Sequence, residues 1–453
     1  VTTPTAVVPD HASERASGST RVVPLTGAAA LAGAVVAVLL AVLGVVVSRA
    51  DVVLLALPLA VASAWSWVSR PPATSDGGPS TGLRVQVVPD AGARLVRYRI
   101  GVDGTGGTDA VHVRVSVLGT TPRDLVVTPG RAADLTGEAP ILHSGPQLLL
   151  RLQHRLLGQD AAWFTAPARE LDVEQVVTPR TVPLASLPLP HRLQGMTGNH
   201  QSARPGDGGD FRDVHPFAPG DRLRRIDWRA TARRARLADE LFVRRTSALA
   251  DATVVLVLDS RDDVGENVED WTGHTADGEG VTSLDLAREA AASLATSYAA
   301  AGDRVGVQDL ASQARVVQPG GGARHRDRVV RAVTLSRPAG SRFARLRAPV
   351  VPAGALVYVF STFLDDEAPR MATLWRAGGH RVIAVDVLPT PRTGGLEPHE
   401  RVAFRLVALE REERMRTLQA SGVELLRWQE RHGGAGERAA ALRTLARAGR
   451  GPR

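Results

Sequence analysis

The sequence predicts a mixed α/β protein: a two-helix transmembrane hairpin, a small β-sandwich, then a doubly wound α/β domain. Three observations lead there. Two uncharged apolar runs stand back to back near the N-terminus. Short segments with alternating apolar residues follow, divided by Gly, Asp and Pro turns. From Thr253 onward, continuous apolar strands alternate with amphipathic helices.

The polar stretch 1–26 reads as a disordered cytoplasmic tail. Segment 27–69 holds the two apolar runs. Ala28–Val47 has 20 residues without a charge, and such a helix spans about 30 Å, the thickness of a bilayer's hydrocarbon core. Val52–Val68 is equally uncharged and ends with Trp65 and Trp67, where indole rings favour the membrane interface. Only Ser48–Asp51 separates the runs, so two spans would form a hairpin with both chain ends on one side. Arg15 and Arg21 precede it and Arg70 and Arg84 follow it, against Arg49 alone at the tip. That bias predicts a cell-membrane protein with both termini in the cytoplasm and membrane lipid as a partner.

Residues 70–82 read as a Pro/Gly/Ser-rich linker. In 83–180, Leu83-Val85-Val87, Val111 to Val117, Leu125–Thr128, Gln147–Gln153 and Leu171–Val177 read as strands of a β-sandwich-like module. Nothing in it suggests a site. In 251–435, strands are expected at Thr253–Leu258, Arg304–Leu310, Ala355–Phe360, Arg381–Val387 and Val423–Trp428. Helices are expected at Ser283–Ala301, Arg324–Val333, Ala368–Ala377 and up to Ser421. The segment 436–453 reads as a basic C-terminal helix that frays into a tail.

Composition excludes several chemistries. The 453 residues include no Cys, which removes disulfides, thiolate metal sites and cysteine nucleophiles. All 55 cations counted as Lys plus Arg are Arg, so a phosphate-loop lysine and a Schiff-base amine are also absent. The net charge of +8 favours anionic neighbours.

The segment 181–250 is dense in Gly, Asp and Arg and has no clean periodicity. Gly208-Gly209 precede Asp210-Phe211; Phe217 stands before Gly220-Asp221; then come Arg225-Ile226-Asp227-Trp228 and Ala232-Arg233. Gly220-Asp221 reads as a tight turn. Ile226 and Trp228 would share one side of an extended strip, with Trp228 as an apolar anchor clamping it to the α/β core. Asp210, Asp221 and Asp227 have arginines close by to pair with. A buried Arg–Asp network or a docking surface is favoured over catalysis, because no nucleophile–base pair is visible. The arginine run 222–236 is the place for an anionic lipid or nucleic acid, although nucleic acid is not expected without interleaved aromatics.

In that order these residues resemble the signature of the bacterial domain-of-unknown-function family 58. The family usually has Tyr where Phe217 stands and Arg-Glu where this chain has His215-Pro216. The wider layout resembles the family too, which implies that the α/β domain is von Willebrand factor A-like. The resemblance also implies a membrane-anchored scaffold or adaptor, working with a MoxR-type AAA+ ATPase in envelope-related assembly, and no enzyme.

Domains of the von Willebrand type often hold a divalent cation on Asp-x-Ser-x-Ser after the first strand. Here Asp259 fits, but Arg261 and Asp263 replace the serines. Ser361 is followed by Thr362 where an Asp is usual, with Asp365 a little later. A degenerate site of Asp259, Asp263, Ser361 and Asp365 is the one place for Mg²⁺, and a metal-dependent hydrolase there is the alternative function. Arg261 argues against it, since its cation competes for the same carboxylates. We therefore expect no resident cofactor, and Arg261 paired with Asp259.

Overall fold

The computed structural model describes residues 24–68, 82–89, 95–103, 109–128, 134–158, 163–193, 198–237, 239–272, 280–311, 316–339, 347–429 and 434–448. The chain divides into two compact units: residues 1–142 with 147–175, and 143–146 with 176–453.

The first unit holds the apolar helices and a β-sandwich. Helix α1 runs Ala28–Val46 and α2 runs Ala50–Val68. They lie side by side because small residues allow it: a Cβ on Gly44 would come within 2.6 Å of Val53. At the tip, Ser48 takes a positive φ of 52°, and Arg49 pairs with Asp51 at 2.9 Å. One helix rather than two is long and apolar enough to cross a membrane, namely α2. The described apolar part of α1 is Ala30–Val46, about 25 Å of helix against a core of about 30 Å.

Of the expected tail, Pro24–Thr26 forms strand β1, and the rest lies outside the described residues, as does most of the linker. The strands are then β2 Gly82–Pro89, β3 Leu95–Asp103, β4 Ala110–Val117, β5 Arg123–Val127, β6 Leu135–Pro140, β7 Gly145–Leu157, β8 Trp163–Thr165 and β9 Leu171–Val177. One sheet has the order β2-β3-β6; the other runs β1-β8-β7-β4-β5 with β9 on β7. The inward alternate residues Val85, Ile100, Val111, Val113, Leu150 and Leu152 make a dry core around Trp163. The expected sandwich strands are all present. Those missed are β1, β3, β6 and β8.

The second unit opens with a long ribbon, β10 His200–Pro216 against β11 Phe242–Ala250. Between them lies the helix α3, Trp228–Arg234. A six-stranded sheet follows. Its strands are β12 Thr253–Leu258, β13 Arg304–Asp309, β14 Val317–Gly320, β15 Leu356–Ser361, β16 Arg381–Asp386 and β17 Glu424–Arg427. The order is β14-β13-β12-β15-β16-β17, parallel except for the antiparallel edge β14. The helices are α4 Ser283–Ala300, α5 Ala323–Thr334, α6 Glu367–Ala377, α7 Pro398–Ala420 and α8 Gly434–Ala448.

Period-two alternation splits each strand between two cores. Val254, Leu256 and Leu258 face α4, α5 and α8, whereas Val255 and Val257 face α6 and α7. Helices on both sheet faces make the unit doubly wound. Thr282 starts α4 with a reciprocal capping box to Asp285. Buried hydroxyls are paired: Tyr298 donates to the Pro188 carbonyl at 2.5 Å and lies 2.8 Å from the Tyr358 hydroxyl. The expected C-terminal helix is packed in its described part, and residues 449–453 lie outside the described residues. Leu442 in α8 is buried beside Trp428 in the same core, and Arg381 donates to the Leu445 carbonyl at 2.6 Å.

Candidate functional site

The ends of β12 and β15 adjoin where the strand order reverses, the place at which open α/β sheets put ligands. Asp259 follows β12 and Ser361 ends β15. Ser361 donates its hydroxyl to Asp259 at 2.8 Å. Arg261 reaches back over both. It grips Asp259 through Nε at 2.7 Å and Nη2 at 2.8 Å. Its other edge grips Asp365 through Nη1 at 2.6 Å and Nη2 at 2.9 Å. Burial works against the guanidinium charge, but the two carboxylates outweigh it and raise its pKa. The result is a closed double fork, a latch across the sheet edge.

Asp263 is not part of it. Its carboxylate accepts from Leu284 N at 2.9 Å and from the Ser283 hydroxyl at 3.2 Å, at the start of α4. Burial raises its pKa. The cleft beside the latch, lined by Asp259, Arg261, Thr362 and Asp365, encloses only about 20 Å³. A divalent cation wants six or more converging oxygens. Here a cation of the chain itself sits between the two carboxylates, and no group of three or more His, Cys, Asp or Glu could hold a metal among the described residues. The residues present do not fit Mg²⁺.

The family-signature residues lie on and beside the β10–β11 ribbon. Asp210 is in β10, where its side chain is outside the described set. Gly220, at φ +102°, and Asp221 make the expected turn: Asp221 accepts from Ala218 N at 3.0 Å. That hydrogen bond, with Arg245 at 3.3 Å, holds the Asp221 carboxyl below its usual pKa. Asp227 caps α3, accepting from Ala230 N at 2.9 Å. Its own N–H pairs with the Phe242 carbonyl at 2.8 Å. Ile226 bridges to Val243, and Thr231 of α3 accepts from Phe242 N at 3.0 Å. Of the three aspartates, Asp221 thus holds a turn and pairs with Arg245 of β11, and Asp227 caps a helix.

Trp228 corrects the largest expectation. It is 66% exposed and anchors nothing. Capping by Asp227 turns the chain into α3 at that point, so Ile226 and Trp228 never share an extended strip. Exposed apolar side chains recur along the segment, at Phe211, Phe217, Leu223 and Leu237. Exposed arginines stand among them at Arg212, Arg224, Arg229, Arg233 and Arg236, with Arg225 half-buried. Arg244 lies 5.1 Å over the Phe211 ring. The sequence reading missed Arg244 and Arg245, because it did not recognise Phe242–Ala250 as the ribbon's second strand. The apolar pair Phe242-Val243 was the available signal.

The fold and these two features define a class: a doubly wound α/β protein with a latched sheet edge, carrying a ribbon with exposed arginines and aromatics. Residues 213–396 match the model of a family described as Protein of unknown function DUF58. That stretch runs from the end of β10 to the loop before α7. Neither the curated proteins nor the solved structures contain a match.

Proposed function

We propose that the chain is a membrane-anchored adaptor whose α/β unit, read as von Willebrand A-like, docks an acidic protein partner on the β10–β11 ribbon and α3. The observation that carries this is the exposure of Trp228, Leu223 and Phe217 among arginines. Exposed aromatic and arginine side chains are what protein interfaces concentrate at their centres. Helix α2 supplies an anchor by length and composition, and α1 is read as the second span of the hairpin. The family resemblance favours a MoxR-type AAA+ ATPase as the partner and envelope-related assembly as the setting. Hydrolysis at the Asp259 edge is disfavoured, because Arg261 fills the position a metal would take.

The test is affinity purification of the full-length chain from membranes, with identification of what co-elutes. Trp228→Ala should cost the complex at least about 2 kcal/mol, a loss of capture, while the melting midpoint stays put. Unchanged capture by Trp228→Ala sinks the docking role of the ribbon. Salt-dependent binding to acidic vesicles or DNA, lost in the same variant, would replace the protein partner with an anionic one.

A further inference from the structure

Helix α7 has an outer face that neither the latch nor the ribbon uses. Its inner face is anchored by buried Met415 and Leu418 and by Arg411, which donates to the Thr362 carbonyl at 2.7 Å. On the outer face, Val402, Leu406 and Leu409 are 60%, 58% and 54% exposed. Positions i, i+4 and i+7 form one stripe along a helix. Such a stripe is the pattern of a helix that packs on another.

The charges beside the stripe say what the other helix is. Glu410 and Glu413 are engaged inside α7, by Arg414 at 3.5 Å and Arg416 at 2.6 Å. Arg401 and Glu412 have no ion-pair partner among the described residues. Eleven residues are three helical turns, so these two opposite charges lie on the same edge of the stripe. They stand almost symmetrically about Leu406. Reversing a copy of α7 about Leu406 lays Arg401 against the copy's Glu412, and Glu412 against its Arg401. The same operation brings Val402 beside the copy's Leu409. A self-complementary patch of this kind is what a two-fold interface requires.

We infer that α7 pairs antiparallel with α7 of a second copy, through the Val402–Leu406–Leu409 stripe and reciprocal Arg401–Glu412 ion pairs. The apolar stripe is short, so the contact is weak between free chains and gains from confinement of both copies in one membrane. The pairing does not depend on what the ribbon binds.

The chain has no Cys, so Leu406→Cys introduces a single thiol at the proposed axis. Helices packed 8–10 Å apart bring facing Cα atoms to roughly 3.5–5.5 Å, a range that overlaps that of a disulfide. The full-length chain in lipid nanodiscs or detergent, mildly oxidised, should then run as a covalent dimer on a non-reducing gel. Leu374→Cys, exposed on α6, should not. Adding Arg401→Glu to Leu406→Cys should lower the dimer yield about two- to five-fold, and adding Glu412→Arg as well should restore it. No more dimer from Leu406→Cys than from Leu374→Cys overturns the inference. So does failure of the double reversal to restore yield, or a cross-link to a different protein. A spin label at position 406 that reports burial in lipid overturns it in favour of a membrane-resting helix.

Discussion

Arg261 is 5% exposed, and a buried charge is tolerable only when it is paired and hydrogen-bonded. Asp259 and Asp365 supply both. Removing the guanidinium leaves Asp259 buried with only the Ser361 hydroxyl, so Arg261→Ala should cost roughly 3–5 kcal/mol in urea unfolding of the α/β unit. The paired variant Arg261→Ser with Thr362→Asp removes a cation and adds a ligand. Calorimetry should show no Mg²⁺ uptake at millimolar levels by the natural chain and a measurable isotherm for the variant. An isotherm for the natural chain that Asp259→Ala abolishes would restore the metal reading. His200 gives a pH dependence of definite sign. It sits 2.9 Å from the buried carboxylate of Asp303, whose hydrogen bond raises the imidazole pKa against the pull of burial. A raised folded pKa stabilises the fold fully below the unfolded value of about 6.5. The contribution disappears as pH rises through the folded value. Melting midpoints should therefore fall over this range for the natural chain, and His200→Gln should flatten that fall.

Among the elements, α8 is the expected helix but is packed rather than loose. Its Ala- and Arg-rich composition reads as a basic helix that frays, and within it Leu442 is buried and the Leu445 carbonyl accepts from Arg381. Leu442→Ala should then destabilise by about 2–5 kcal/mol, read in a thermal melt, where a loose tail would show no change. The sheet was legible because Thr253–Leu258 and Leu356–Ser361 are continuous apolar runs, which only a doubly covered strand tolerates. The edge strand β14 was not, since Val317–Gly320 contains a Pro and a Gly and has one paired side. The ribbon was hidden for a related reason. β10 carries Pro205, Gly206, Gly208 and Gly209, and its pairing with β11 slips between Gly206 and Phe211. Bulged pairing of this kind leaves no period in the sequence. At the latch, Asp259, Ser361 and Asp365 could be picked out by their places after strands. That one arginine would hold two of them, 2 and 104 residues away, is a tertiary fact. The separation of 141 residues between Ser144 and Asp285, joined at 2.7 Å, is invisible to any local pattern.

For the molecule as a whole, the proposed membrane anchoring turns on which helices would cross. Helix α2 suffices by length and composition, whereas the described apolar part of α1 is shorter than the usual span. Two arrangements follow. If both helices cross, residues before Pro24 and after Arg70 share a side and the tip at Arg49 lies opposite. If α2 crosses alone, the tip and the N-terminal segment share a side. A reporter active only outside the cytoplasm, fused in turn before Pro24, at Arg49 and after Arg70, separates them. The arginine bias predicts silence after Arg70 in either case. It predicts signal at Arg49, and silence before Pro24 only for the hairpin. Signal at both Arg49 and the N-terminal position would leave α2 as the single span. Signal after Arg70 would put the α/β unit outside the cytoplasm and remove a cytoplasmic ATPase from reach of its ribbon. The outcome therefore bears on the proposed partner as much as on topology, because a docking surface at Trp228 would meet only what shares its compartment.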